Sequence, residues 1–187
     1  ATARASDVVA LVAAGEIATP EAATTLVAML EWHAERHPDR THITLLEGDR
    51  PKYSGVYALG SVRLRQGLRQ WAGDRERRVR LLTRNIGNIL RDIDRDIPMR
   101  SAEYMIALGG DVRLAAQELV DTPEGGLAEV PRDAFIEFCG RVEKLAEEDI
   151  VDRFGLSPGD AEALVPALLV YRALLLELYH VVWHFNP

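Results

Sequence analysis

The spacing of apolar residues changes along the chain, and each spacing predicts a different kind of element. Residues 42–47 and 52–59 alternate between apolar and polar side chains, which predicts two strands joined by a turn at Gly48 and Asp49. Residues 75–96 carry an apolar side chain at every third or fourth position, which predicts a long helix that ends before Pro98. The chain therefore combines a β-hairpin with helical segments.

A second strand–helix pair surrounds two glycines. The apolar run 104–108 predicts a strand, Gly109 and Gly110 a tight turn, and Asp111 the start of a helix. In α/β proteins this order brings backbone N–H groups and a helix N-terminus to the end of a strand, where phosphates bind. Glycines at strand ends usually serve only tight geometry, so the turn by itself is weak support for a phosphate site.

The other predicted elements are mostly helical. Helices are predicted at 8–14, 20–37, 61–71, 131–148 and 160–178, and Ser61 is predicted to cap the third of them. A loop is predicted at 121–129 and a closing strand at 181–185. The helix at 160–178 is apolar nearly all round, so we expect other elements to cover it on several sides.

The composition fits one large or two small domains, since 48% of the 187 residues are hydrophobic and 27% are charged. The net charge of −7 disfavours general nucleic-acid binding. Residues 61–100 have the opposite balance, with eleven arginines against five acidic residues. Such a surplus can attract an anionic ligand, although arginines spread over helices more often form a solvated face.

Cysteine usage and the apolar segments indicate a reducing, aqueous compartment. Cys139 is the single cysteine, so no disulfide forms within the chain, and its apolar context predicts burial in a helix. Polar residues and Pro166 interrupt the longest apolar region, 161–185, which predicts a buried helix rather than a membrane span. No secretory leader is visible, and the chain begins at Ala1, as an excised piece would. We therefore expect a cytoplasmic protein.

Two possible metal motifs each lack an essential part. His33 and His37 lie four residues apart, but Ala34 stands where zinc peptidases of this spacing carry their glutamate. The aspartates at 92, 94 and 96 alternate as in a calcium loop, but the glycine that such a loop requires is absent. Neither motif predicts a metal site.

The end of the hairpin carries the remaining polar candidates. Ser54 and Ser61 have no positioned base, so a serine nucleophile is not supported. Arg63, Arg65 and Arg69 follow the hairpin at once, and arginine suits multidentate phosphate recognition. If the hairpin end and the glycine turn lie at the same edge of one sheet, these groups converge on one crevice.

Three segments, taken in this order, resemble the exopolyphosphatase / guanosine-pentaphosphate phosphohydrolase family. The second-domain hairpin of that family resembles residues 45–64, LLEGDRPKYSGVYALGSVRL. Its glycine-rich strand–turn–helix resembles residues 103–119, EYMIALGGDVRLAAQEL. A later helical segment resembles residues 154–175, FGLSPGDAEALVPALLVYRALL. Together these segments are spread over residues 45–175 of the stretch 41–187.

The resemblance implies an actin-like (ribonuclease-H-like) α/β domain at 41–187, with a mixed sheet, an N-terminal hairpin and covering helices, preceded by a helical N-terminal segment at 1–40. It implies hydrolysis of phosphoanhydride bonds in inorganic polyphosphate or guanosine polyphosphate (pppGpp), with Mg²⁺ and an acid-activated water in a cleft between two such domains. The residues that it places at the phosphate or nucleotide are Gly60, Ser61, Arg63, Gly109, Gly110, Asp111 and Arg113.

The sequence departs from the family pattern where phosphate is bound. The family carries an Asp-x-Gly-Gly-Gly-Ser loop before the first hairpin strand, whereas residues 36–41, RHPDRT, contain no glycine. The catalytic glutamate of the family is not identifiable here. Asp111 replaces a usual threonine, and its carboxylate repels phosphate unless a metal or Arg113 compensates for it. We therefore assign no catalytic residue and expect no hydrolysis by this chain alone.

Three hypotheses follow. The chain is the second half of a phosphoanhydride hydrolase, a non-catalytic regulatory or interaction module that kept the fold, or an unrelated, mostly helical binding protein. For the activity of this polypeptide by itself, the second hypothesis ranks above the first, and it predicts an oligomer formed through the apolar region 160–178. We expect a homo-oligomer or an upstream domain missing from this sequence, and neither a nucleic-acid nor a membrane partner.

Overall fold

The computed structural model describes residues 40–47, 50–102, 104–107, 109–120, 128–178 and 182–185. The helices predicted at 8–14 and 20–37 lie outside these residues, as do His33, His37 and all but the last residue of the N-terminal segment 1–40. The elements are β1 (Thr41–Glu47), β2 (Arg50–Tyr57), α1 (Ser61–Gln70), α2 (Arg75–Asp96), β3 (Tyr104–Ala107), α3 (Gly110–Leu119), β4 (Ala128–Val130), α4 (Arg132–Val142), α5 (Glu147–Phe154), α6 (Pro158–Glu177) and β5 (Val182–Phe185).

The strands form two separate sheets. β1 and β2 pair as an antiparallel hairpin in which Thr44 lies opposite Ser54. In the second sheet β5 is central, parallel to β3 on one side and antiparallel to β4 on the other, so this sheet is mixed as predicted. In the described residues the hairpin and the mixed sheet are separate, so the condition that the hairpin end and the glycine turn lie at one edge of one sheet is not met. Period-two patterns show that a segment is extended, but they do not show which strands pair.

α6 is the helix around which the described part of the chain packs. α1, α2, α3, α4 and α5 all contact it. Ser157 caps its first turn by accepting a hydrogen bond from the backbone N–H of Asp160, and Pro158 occupies the first helical position. Nearly all of its middle residues are buried, including Leu164 and Leu175, which are fully enclosed. The predicted coverage on several sides is therefore confirmed.

α2 shows how an apolar stripe fixes one helix against this centre. Its observed bounds equal the predicted ones, and Asp74 caps it by accepting a hydrogen bond of 2.8 Å from the backbone N–H of Arg77. The residues of its buried stripe recur every three or four positions and are Val79, Leu82, Ile86, Leu90 and Ile93. The helix ends at Asp96, with Ile97 as its C-terminal cap, and Pro98 follows this cap, as expected.

Three local predictions are wrong. Residues 128–130 form β4, although the sequence predicted that 128 and 129 belong to the loop 121–129. The single helix predicted at 131–148 is divided into α4 and α5, because three acidic residues at 147–149 favour a new helix N-terminus there and Asp149 accepts a hydrogen bond from the backbone N–H of Ala146. Gly60, rather than Ser61, is the capping residue of α1.

The fold as a whole confirms the predicted mixed α/β class with an N-terminal hairpin covered by helices. The hypothesis of an unrelated, mostly helical protein is wrong, because strands are present at 41–47, 50–57 and 104–107. Among the described helices, none is long and apolar enough to cross a membrane.

Candidate functional site

The glycine turn lies between β3 and α3, as the sequence predicts. Gly109 has φ 148° and ψ 162°, a backbone conformation that residues with a Cβ rarely adopt. Gly110 is the first residue of α3, and a Cβ added to it would meet no atom within 4 Å. The carbonyl of Gly109 accepts the first helical hydrogen bond from the N–H of Arg113, at 3.1 Å. The turn thus needs glycine at 109, and it leaves space at 110 for an approaching group.

The charged residues of the turn lie at the positive end of the α3 dipole. Asp111 is half-buried in the first turn of α3, where a carboxylate stabilises the helix N-terminus. Arg113 lies two residues further along the same helix and is exposed. A phosphate at this helix start would therefore meet a positive dipole and a nearby guanidinium, together with one opposing carboxylate.

The second predicted group occupies the start of α1. Gly60 is buried, and its carbonyl accepts a hydrogen bond of 3.1 Å from the N–H of Leu64. Ser61 is half-buried at the first helical position, and Arg63 is exposed. The strands that precede the two groups belong to different sheets, but α1 and α3 both contact α6. A role of these residues in binding stays a prediction.

Two other arginines proposed for phosphate are engaged in structural contacts. Nη1 of Arg65 donates a hydrogen bond of 3.1 Å to the carbonyl of Gly159 and lies 3.4 Å from Oε2 of Glu162. Arg69 forms an ion pair with the same carboxylate. These contacts join α1 to the N-terminal turns of α6. Both side chains therefore hold the two helices together.

A histidine–serine contact in the hairpin was missed by the sequence analysis. Nε2 of His42 lies 2.8 Å from Oγ of Ser54 and 2.7 Å from Oγ1 of Thr44, and the two hydroxyl oxygens are 3.0 Å apart. The statement that Ser54 has no positioned base is thus wrong. The pairing of β1 with β2 was the signal that could have revealed this contact, since it places Thr44 opposite Ser54. Because Thr44 shares the same ring nitrogen, we interpret the cluster as fixing the hairpin register.

The three aspartates near the end of α2 act as separate surface charges. Oδ1 of Asp92 lies 3.0 Å from Nη1 of Arg95. Oδ2 of Asp94 lies 4.0 Å from Nε of Arg100. Burial raises the pKa of the Tyr57 hydroxyl, and the negative charge of the third aspartate, Asp96, raises this pKa further. In the ranges that the structure describes, no group of three histidine, cysteine or acidic side chains is placed to hold a metal ion.

Cys139 is buried in α4, as predicted. Its Sγ donates a hydrogen bond of 3.7 Å to the carbonyl of Leu168. Burial raises the pKa of the thiol to about 12, although the positive charge of Arg172 partly opposes the rise. Because the thiolate is the nucleophile, this cysteine does not have the environment of a catalytic thiol.

The fold is the actin-like α/β fold of solved structures of the Ppx/GppA family. The chain is similar in structure to the Ppx/GppA family member of Aquifex aeolicus, with a TM-score of 0.66 and 14% identity over 80% of this chain and 49% of that one. It is also similar to an exopolyphosphatase from Cytophaga hutchinsonii, with a TM-score of 0.68 and 11% identity over 80% of this chain and 50% of that one. No protein-family model and no curated protein sequence matches the chain.

These likenesses establish the fold, and they confirm at that level the resemblance carried by the three sequence segments. The chain spans about half the length of the solved structures that it matches. The corresponding whole proteins thus contain a further portion of similar size that this sequence does not cover.

Proposed function

We propose that this chain is the second half of a hydrolase acting on phosphoanhydride bonds, with inorganic polyphosphate or guanosine pentaphosphate as its substrate. By itself the chain contributes one wall of the phosphate cleft and does not hydrolyse the substrate. Gly109 and Gly110 let the backbone approach a phosphate at the start of α3, and Arg113 supplies positive charge. Gly60, Ser61 and Arg63 form the corresponding group at the start of α1.

The observation that carries this proposal is the strand–glycine–helix turn within the matched fold. At Gly109 the positive φ places the backbone in a conformation reserved for glycine, directly before a helix whose first N–H groups have no partner in the helix itself. Such helix starts bind phosphate through backbone N–H groups and the helix dipole. Asp111 opposes an anion there, which supports a site completed by groups from another domain.

Magnesium enters this proposal through the family resemblance alone. Magnesium is usually held by one or two carboxylates together with substrate phosphates. Asp111 is the one carboxylate in the first turn of α3, and no three-ligand cluster exists among the described side chains. The described residues therefore do not fit a complete magnesium site. When bound, the metal would neutralise phosphate charge.

The proposal is tested by comparing binding with turnover. Tripolyphosphate and magnesium are titrated into the chain by calorimetry, and phosphate release is measured for the chain alone and for the protein extended by its upstream sequence. We expect binding by both proteins and phosphate release only by the longer one. Absence of release from the longer protein, with folding verified by circular dichroism, would sink the proposal.

Variants of the glycine turn identify the binding surface. Gly109→Ala is expected to weaken tripolyphosphate binding, because the added Cβ changes the backbone at the helix start. Arg113→Gln is expected to weaken it by removing a charge, and Asp111→Asn to strengthen it by removing a repulsion. Arg91→Gln, on an exposed part of α2, is the matched control. Equal effects of Arg113→Gln and Arg91→Gln would contradict the assignment.

A non-catalytic regulatory module is the second candidate, favoured by the missing glycine-rich loop at 36–41 and by Asp111. It predicts no magnesium-dependent phosphate binding. It also predicts an oligomer through region 160–178, but most of that region is buried within the chain itself. An oligomer, measured by light scattering, would have to form through another surface.

A further inference from the structure

A small cavity lies where α1, α2, α5 and α6 meet. Its volume is about 60 Å³, several times the space of roughly 10–15 Å³ that one water molecule needs. The charged side chains that line it are Arg65, Arg69, Arg75, Arg78, Glu147 and Glu162. We call it the arginine cavity. Four guanidinium groups face two carboxylates there, so its lining carries a net positive charge.

Two of these arginines form no ion pair with another residue that the structure describes. Glu162 is occupied by Arg65 and Arg69. Among the described residues, Arg75 and Arg78 form no ion pair, and the Nε atom of each is buried without a hydrogen-bond partner. Buried donors are nearly always paired, because leaving one unpaired costs free energy. The two side chains that carry these unpaired donors both line the positively charged cavity, where a bound anion would offset their charge.

The position of these arginines in α2 adds a second argument. Arg75 is the first residue of α2, and Arg77 and Arg78 lie within its first turns. The N-terminus of a helix is the positive end of its dipole, where cations are unfavourable and anions are favourable. The acidic residue of this turn, Glu76, pairs with Arg80 rather than with the cavity arginines. An anion beside Arg75 and Arg78 would offset both the like charges and the helix dipole.

We infer that the arginine cavity binds a small oxyanion of the phosphate type, either free phosphate or the terminal group of a polyphosphate chain. The guanidinium groups of Arg75 and Arg78 donate hydrogen bonds to its oxygens, since guanidinium groups match phosphate geometry. The cavity volume limits the enclosed part to a single such group. This site is distinct from the glycine turn, since α3 does not line it, and the inference does not rest on the proposed function.

Calorimetric titration of the full chain with inorganic phosphate at low ionic strength tests the inference. The wild type is expected to bind one phosphate. Arg75→Gln and Arg78→Gln are each expected to weaken binding about tenfold or more by removing a charge-assisted hydrogen bond. Glu147→Gln is expected to strengthen binding, because this carboxylate lines the cavity and repels the anion. Arg84→Gln, exposed on the same helix and outside the cavity, serves as the matched control.

Each result bears on the inference in one direction. Circular dichroism first establishes that every variant is folded. No phosphate binding by the wild type, or equal weakening by Arg84→Gln and Arg75→Gln, overturns the inference. Gly109→Ala is expected to leave phosphate binding in the cavity unchanged, which separates this site from the glycine turn. Parallel titrations use tripolyphosphate. If Arg75→Gln and Arg78→Gln weaken tripolyphosphate binding, the end of a polyphosphate chain enters the cavity. If only Gly109→Ala weakens tripolyphosphate binding, the cavity takes free phosphate alone.

Discussion

Gly109 is the residue on which the geometry of the glycine turn depends. Its φ of 148° is strained for any residue with a Cβ, whereas Gly110 is helical and has open space around its Cα. We expect Gly109→Ala to lower the free energy of unfolding by about 1–3 kcal/mol. Gly110→Ala is expected to change it by less than about 1 kcal/mol, because alanine is tolerated in a helix. Urea denaturation of both variants checks this, and equal losses would contradict it.

Cys139 makes stability depend on alkaline pH. Its pKa rises from 9.0 to about 12 on folding, because burial disfavours the thiolate. Between pH 9 and about pH 12 the unfolded thiol therefore releases its proton while the folded one keeps it, and the free energy of unfolding falls as pH rises. The contribution reaches at most about 1.4 kcal/mol per pH unit.

The variant Cys139→Ala isolates this contribution. Its free energy of unfolding, measured by denaturant titration from pH 8 to pH 10.5, is expected to fall less steeply with pH than that of the wild type. Tyrosines also titrate in this range, but they do so in both proteins, so the difference in slope reports the cysteine. Identical slopes would show that the thiol is accessible in the folded state.

At the scale of elements, the turn between α4 and α5 is fixed to α6 by one ion pair. Nη1 of Arg172 lies 2.6 Å from Oε2 of Glu143, and both side chains are partly buried. A double-mutant cycle with Arg172→Gln and Glu143→Gln is expected to give a coupling energy of about 0.5–2 kcal/mol. The exposed pair Arg141–Glu137 on α4 is the control, with an expected coupling below about 0.5 kcal/mol. Similar couplings for both pairs would refute the structural role.

The sequence predicts elements well where an apolar period is long and both ends carry signals. α2 combines a five-residue stripe with Asp74 before it and Pro98 after it, and its predicted bounds match the structure. β4 has only three residues, too few for a period to be visible. The helix break before Glu147 depends on an acidic first turn and on the ion pair of Glu143 with α6, which is a tertiary contact.

The candidate site is less accessible to sequence reasoning than the fold. The glycine turn could be predicted because strand, glycines and helix are consecutive. The arginine cavity could not, because its residues come from four helices whose meeting point depends on tertiary packing. The spacings of Arg65 and Arg69, and of Arg75 and Arg78, did place each pair on one helical face. From the sequence, Arg65 and Arg69 are candidates for phosphate recognition, whereas Arg75 and Arg78 belong only to the arginine surplus of residues 61–100.

At the scale of the whole molecule, stability depends on α6. Leu164 is fully buried in this helix, whereas Leu176 is 53% exposed. Leu164→Ala is expected to lower the free energy of unfolding by about 2–5 kcal/mol, through lost burial and the cavity left behind. Leu176→Ala is expected to change it by no more than about 0.5 kcal/mol. Thermal and urea denaturation test the contrast, and comparable losses for the two variants would show that α6 is not central.

The late position of β5 and α6 has a consequence for synthesis. β3 and β4 are synthesised before β5, the strand that joins them. The helices α1 to α5 are likewise synthesised before α6, the helix that they all contact. Their apolar faces therefore stay uncovered while residues 158–185 are still being added. Assembly of the core waits for the last described helix and strand, so the growing chain exposes apolar surface during that interval.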